Sequence, residues 1–203
     1  MFDIDALATN LQNPAISNKE ATKQLILETN NLKEACILSK SFLSSQMYGA
    51  LLEKWLKKRF QLNGAIDNAS GDASSVNGTY EIKCSLPWIQ PNGGSKVNLV
   101  QIRPGQDITA YIHLVYYIKT CEAILMYIPS HDLYDLLPEF GSYAHGTLKE
   151  HGPITPSSIM TNNYEYALRP LIGRPDLKAG RLWEKLQPYI RTEDEIRSIL
   201  HKT

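Results

Sequence analysis

The sequence predicts an α/β fold in which a central mixed β-sheet is flanked by helices. Three observations carry this. Helical apolar spacing fills the chain from Ala21 to Phe60. From Asp72 to Ile128, β-branched and aromatic runs follow one another between turn residues. From Leu182 to Leu200 the helical spacing returns.

In order, Ser17-Asn-Lys-Glu20 has the form of a capping box. The helix after it turns Ala21, Leu25, Leu32, Ala35, Leu38 and Phe42 inward, with a break near Asn30-Asn31. A second helix starts near Ser44-Ser45 and runs to Phe60, burying Met47, Tyr48, Leu51, Leu52, Trp55 and Leu56. Asn63-Gly64 ends it, and a strand is expected to begin at Ala65-Ile66. Two short β runs, DASSV and TYEIKCSL, meet at Asn77-Gly78, a strong hairpin signal. Val97 to Ile102 reads as a strand stopped by Pro104-Gly105. Thr109 to Ile118 is long enough for a helix, but its Ile, Val and Tyr favour a strand. Ala123 to Ile128 is a buried strand, and Ser130-His-Asp caps a helix through Leu137. Loops and short strands fill Gly141 to Gly180, and two closing helices span Leu182 to Ile190 and Glu193 to Leu200, parted by Pro188 and an Arg191-Thr192 cap.

The 203 residues carry 21 basic and 21 acidic side chains, which excludes a strongly basic nucleic-acid coat but not a local basic groove. The three cysteines, Cys36, Cys84 and Cys121, are far apart; they fit neither a zinc spacing nor a disulfide framework, so the expected location is a reducing cytoplasm. The segment MFDIDALATNLQ lacks the character of a signal peptide, and no run reaches the roughly 20 apolar residues of a membrane span.

The hairpin is where chemistry concentrates. With Asn77-Gly78 as a two-residue loop, Val76 faces Thr79, Ser74 faces Glu81 and Asp72 faces Lys83. Opposed residues share a face, so Asp72, Glu81 and Lys83 project together, at Cβ spacings of roughly 5 to 7 Å. Two carboxylates and an ammonium at that spacing suit one small hard cation with a water beside the lysine. Asp67 is an odd number of residues from Asp72, so an unbroken strand turns it to the other face; a bulge at Gly71 would undo this, and Asp67 ranks below Asp72. The competing reading makes the trio a surface ion pair on the wet face of a strand, worth about 0–1 kcal/mol.

A helix, a strand hairpin bearing Asp, eight residues, Glu-x-Lys, then more strands and helices resembles the PD-(D/E)XK nuclease superfamily, whose largest group is the type II restriction endonucleases. The resemblance covers about Ser44 to Leu137 and rests on Gly71-Asp72, Glu81-Ile82-Lys83 and, more loosely, Gln101 in VNLVQIRP. It implies a restriction-endonuclease-like sheet, Asp72 and Glu81 as Mg2+ ligands, and Lys83 positioning or helping to activate the attacking water. It also implies a metal-proximal role for the helix residue Glu53. The family's proline before the aspartate is Gly71 here. Without a helicase or ATPase motif, restriction of double-stranded DNA at a short sequence is favoured over a repair or junction-type nuclease of the same fold, and a non-catalytic binding protein is the reading from another class.

The domain expectation is a single unit over 1–203: a helical part over 1–43, a catalytic core over 44–137, and an appendage over 138–203 for specificity and dimer contacts. Lys54, Lys57, Lys58, Gln101, Arg103, His145 and Lys149 are candidate DNA contacts, although Lys57 and Lys58 with Arg59 also suit a solvated last helical turn that complements the helix dipole. His145 and His151 suit ordinary loop histidines better than zinc ligands, and His113, in an apolar run, suits a satisfied core histidine better than a catalyst. One trio per chain and two strands per duplex imply a homodimer. Leu182, Trp183, Leu186 and Tyr189 form either its interface or the buried stripe of the closing helix.

Overall fold

A computed structural model describes residues 19–86, 88–89, 95–117, 122–144, 152–168 and 176–202. The helical N-terminal pattern forms α1 (Lys19–Glu28), α2 (Leu32–Phe42) and α3 (Ser45–Arg59). The predicted break falls between α1 and α2, where the Asn31 side chain caps α2 by accepting from Glu34 N–H. Ser17, half of the expected capping box, lies outside the described residues.

The main sheet has six strands in the order β1-β2-β3-β6-β7-β10: β1 (Asn63–Gly64), β2 (Ala73–Ser75), β3 (Gly78–Ser85), β6 (Ala110–Tyr117), β7 (Glu122–Pro129) and β10 (Ile190–Arg191). β3 and β6 run parallel and the other pairs are antiparallel, so the sheet is mixed as expected. A second sheet has the order β4-β5-β9-β8: β4 (Trp88–Ile89), β5 (Ser95–Ile102), β9 (Tyr164–Leu168) and β8 (Ser142–Tyr143). Short helices α4 (Ser130–Asp135), α5 (Leu137–Phe140) and α6 (Pro156–Ile159) connect these parts, and α7 (Lys178–Leu186), a 3-10 turn (Gln187–Tyr189) and α8 (Glu193–His201) close the described chain.

β6 explains why its sequence was ambiguous. Every residue of it is buried, so no polar face marks a period of two. Ala110, Ile112, Leu114 and Tyr116 enter one core with α1–α3 and α8; Tyr111, Val115 and Tyr117 enter another, with β5, β9, α4, α5 and α7. The main sheet is therefore covered on both faces.

Two expectations need correction. Residues Ala65–Ile66 are not a strand; β1 is Asn63–Gly64, pairing Ser74 and Ala73, and Ile66 is exposed. The hairpin register lies two residues from the predicted one: Ser74 pairs Thr79 rather than Glu81, and Ser75 pairs Gly78. The turn centres on Val76-Asn77, because Asn77 is anchored elsewhere: its Nδ2 donates to Ile199 O and Lys202 O at 2.9 and 3.0 Å. A shift of two preserves side-chain parity, so the shared face of the trio survives. Of the two readings of the closing helix, the buried stripe holds. Leu182, Trp183 and Leu186 are buried in the second core, which removes them as a dimer interface; Ile196 and Leu200 enter the first.

Thr192 and Glu195 form the capping box that starts α8, with Glu195 N–H donating to Thr192 Oγ1 at 3.2 Å and Thr192 N–H to Glu195 Oε2 at 2.7 Å. Because α8 anchors the hairpin turn, Thr192→Ala is expected to lower stability by about 1 kcal/mol in denaturant titration. An unchanged midpoint would mean that the box contributes nothing.

Candidate active site

The ladder between β2 and β3 ends at Tyr80. Past it, β3 pairs with β6 through Ser85, and Asp72 supplies what the departing strand does not. Its backbone N–H donates to Tyr80 O at 2.8 Å, and its Oδ2 accepts from Ile82 N–H at 3.0 Å. A carboxylate thus replaces a backbone acceptor at the point where β2 turns away. Gly71, immediately before it, has φ +76°. Asp67 instead closes a loop turn, its Oδ1 accepting from Ala69 N–H at 2.7 Å, as befits its lower rank.

Glu81 and Lys83 face the second core, away from α3, while Tyr80, Ile82 and Cys84 pack into the first. Lys83 Nζ lies 2.5 Å from Glu81 Oε1 and 3.6 Å from Asp72 Oδ2. The trio is therefore brought together as predicted, but not on a wet face. The Glu81 side chain is 1% exposed, against 15% for Lys83 and 27% for Asp72. Neither Glu81 oxygen accepts a well-formed hydrogen bond among the described residues; Oε1 is held by charge, between Lys83 and Arg103 Nη1 at 3.9 Å. Burial raises the Glu81 carboxyl above its ordinary 4.5, and Asp72 adds to this, while the Lys83 charge and hydrogen bond and then the Arg103 charge oppose it. A surface ion pair has none of these properties.

β5 crosses this face antiparallel to β3. Ser85 Oγ donates to Asn98 O at 3.3 Å, Lys83 Nζ donates to Gln101 Oε1 at 3.0 Å, and Arg103 faces Glu81. The Arg103 backbone is fixed by two tyrosines: its N–H donates to Tyr111 Oη at 3.0 Å, and its carbonyl accepts from Tyr134 Oη at 3.4 Å. With that proton committed, the 3.3 Å contact between the hydroxyls makes Tyr111 the donor and closes a ring of hydrogen bonds. The guanidinium itself reaches Gln106 Oε1 at 3.5 Å.

His113 pairs with Lys83 in the β3–β6 register and is fully buried. Burial, followed by the Lys83 charge, pulls its imidazole down to about 3, so it is neutral at pH 7. Since the Ser85 hydroxyl proton goes to Asn98, the 2.9 Å contact makes His113 Nε2–H the donor. This is the core histidine that the sequence favoured, although its Nδ1 has no partner among the described residues.

The helix residues stand differently from expectation. Glu53 does not join the carboxylates: it pairs with Lys57 at 2.6 Å on α3, across the sheet from Glu81. Lys57 Nζ then donates to Asp72 O at 3.0 Å, so Glu53 touches the site only through a tether on the Asp72 backbone. Lys57 and Lys58, expected as phosphate contacts, both have partners within the fold, since Lys58 Nζ donates to Leu27 O at 3.0 Å and secures α1. Arg59 pairs with Glu193 at 2.6 Å. The basic turn holds the fold together; only Lys54 of that group is exposed without such a role. His145, Lys149 and His151 lie outside the described residues.

Sequence reasoning missed the Tyr111–Tyr134 clamp and the contact between Gln101 and Lys83. Both depend on β5 crossing β3, which no local spacing signals. No described helix is long and apolar enough to cross a membrane. Among the described residues no set of three or more His, Cys, Asp or Glu side chains is arranged to hold a metal ion. No protein-family model matches the chain, and no curated protein matches it.

Proposed function

We propose that this chain is a magnesium-dependent endonuclease that hydrolyses phosphodiester bonds of double-stranded DNA at a short sequence, as type II restriction enzymes do. One observation carries the proposal: a buried carboxylate, Glu81, that accepts no well-formed hydrogen bond and sits beside a second carboxylate and two cations. A fold keeps such a group at a cost in stability, and perturbed, under-satisfied carboxylates of this kind cluster at functional sites.

The donor set fits magnesium, which is held by one or two carboxylates and completes its shell with waters and substrate oxygens. Asp72 and Glu81 would hold it. Bound there, it supplies Lewis-acid stabilisation of the phosphate and a more acidic water. Asp72 presents its carboxylate from a backbone pinned by Tyr80, Ile82 and Lys57. Lys83 donates N–H bonds, orienting the water and a phosphate oxygen. Arg103, held by the two tyrosines, directs positive charge at the oxygens that gain negative charge as the water oxygen bonds to phosphorus and the P–O bond to the leaving group breaks.

Incubation with supercoiled plasmid of mixed sequence is the direct test. Discrete products with magnesium and none with a chelator are expected. No magnesium-dependent cutting of any plasmid would remove the nuclease reading and leave a binding protein. Cutting confined to branched DNA would instead indicate a junction-type enzyme. Binding measured against salt reads the phosphate contacts: Lys54→Ala is expected to flatten the slope of log affinity on log salt by about 0.9 without changing the sequence cut. Two strands and one site per chain lead us to propose a homodimer on DNA. One chain per duplex in sedimentation, with accumulating nicked plasmid, would refute it.

A further inference from the structure

We infer that the irregularity in β5 is a positioning device, in which Gln101 aims and holds the Lys83 ammonium for the hydrolytic step. The inference rests on the nuclease reading above and assigns Gln101 a role other than DNA contact.

Between Leu99 and Ile102 the β5–β9 pairing shifts: Leu99 pairs Tyr166 and Ile102 pairs Tyr164, three steps on β5 against two on β9. One extra residue is thereby inserted, as in a β-bulge. Its effect is visible in the burial. Val97 and Leu99 are buried, and so is Ile102, which an unbroken strand would turn the other way. In an unbroken strand Gln101 would share the direction of Leu99 and point into the second core. The bulge reverses it and brings Oε1 to 3.0 Å from Lys83 Nζ.

The reversal has a backbone cost. Gln101 has φ +60°, and Gln61 is the only other non-glycine among the described residues with positive φ. That region is sterically unfavourable for a residue with a Cβ and persists where surrounding structure imposes it, often at functional sites. Glycine would occupy it without strain. A glutamine here makes sense if its side chain has a task, and its one observed side-chain partner is Lys83.

The test uses Gln101→Gly and Gln101→Asn in the full chain. Gln101→Gly relieves the backbone and removes the tether, so its Tm is expected to rise by about 2–4 °C, the shift for roughly 1 kcal/mol in a chain of this size. Its single-turnover cleavage rate is expected to fall about 10- to 100-fold while DNA affinity stays within about twofold. Acylation of Lys83 by an amine-reactive ester, mapped by mass spectrometry against exposed Lys54, is expected to speed up severalfold in the glycine variant. Gln101→Asn tolerates positive φ but is one methylene shorter, so it is expected to cut as slowly as Gln101→Gly. A wild-type rate in either variant would overturn the inference, as would a loss of affinity matching the loss of rate, which is the signature of a DNA contact. If the unaltered protein cuts no DNA, the nuclease reading fails and the catalytic role falls with it. The acylation ratio then still reports separately whether Gln101 restrains Lys83, and an unchanged ratio would refute the tether itself.

Discussion

Glu81→Gln is expected to abolish magnesium-dependent cleavage and, at the same time, to raise the thermal stability of the protein. The two effects have one cause. The wild-type carboxylate is fully buried, its oxygens accept no well-formed hydrogen bond, and burial raises its pKa above the ordinary 4.5 despite the Lys83 ion pair. Such a group binds its proton more tightly folded than unfolded. Its contribution to stability is therefore complete below about pH 4.5 and is lost as pH rises through the raised folded value. Glutamine has no such ionisation, so the stability advantage of Glu81→Gln over wild type is expected to grow as pH increases from about 4.5 toward 7. Lys83 is not stranded by the change, because Asp72 Oδ2 lies 3.6 Å away and Gln101 accepts from it at 3.0 Å. Magnesium should reverse the ranking. At about ten times its Kd a ligand specific for the folded state adds about 1.4 kcal/mol, or roughly 3–6 °C in Tm for a chain of this size. Wild type is expected to show that gain and Glu81→Gln to lose it. Calorimetry at several pH values, with and without magnesium, reads all of this without any DNA. Equal magnesium stabilisation of both proteins would dismiss Glu81 as a ligand, even if the variant did not cut. The same raised value sets the acid side of activity: a carboxyl must ionise to hold a cation, so cleavage should decline on acidification before an ordinary carboxylate would titrate.

Parity was what made the trio legible. Alternation depends only on whether residue numbers are odd or even, so Asp72, Glu81 and Lys83 stay on one face although the turn sits two residues from where Asn77-Gly78 suggested. Anything set by absolute position was less readable. The Asn77 side chain is spent on the C-terminus of α8, more than a hundred residues away, and this overrides the local turn preference. The partners of the α3 lysines were unreadable for a related reason. A basic last turn looks the same whether its ammonium groups meet phosphate, water or the carbonyls of Leu27 and Asp72. The β5 bulge was hidden as well: the buried positions Val97 and Leu99 are odd and Ile102 is even, but the exposed Val100 is equally apolar and masks the change of phase in the sequence. What no spacing contains is the crossing of β5 over β3, which decides that the inserted residue meets Lys83.

Gly71→Ala tests the other carboxylate, and it explains why a proline does not stand there. Gly71 has φ +76°, and a Cβ built on it would lie 2.6 Å from the carbonyl oxygen of Tyr80. Proline fixes φ near −65°, so the local conformation that presents Asp72 is closed to it. Alanine meets two costs: about 1–2 kcal/mol for the left-handed region, and a collision with backbone rather than with a flexible side chain. A total of roughly 2–3 kcal/mol is expected, lowering Tm by about 5–10 °C. The carbonyl that must move is the one that accepts the Asp72 N–H at 2.8 Å, two residues before the Ile82 N–H that holds Oδ2 at 3.0 Å. Relief of the collision therefore displaces the Asp72 carboxylate relative to Glu81. A displacement of about 1 Å at reacting groups costs on the order of 100-fold in rate, so single-turnover cleavage by Gly71→Ala, measured well below its Tm, is expected to drop by about that factor with DNA affinity retained. The contrast with Asp67 makes the test specific. Asp67→Ala removes a loop-turn acceptor on the far side of Gly71 and should leave the rate within about twofold, at a cost near 1 kcal/mol of stability. If Gly71→Ala is destabilised but cuts at the wild-type rate, the position of Asp72 does not limit the reaction and the two-carboxylate site is wrong. If Asp67→Ala is the variant that stops cleavage, the acidic partner of Glu81 lies across the glycine from where the hairpin puts it.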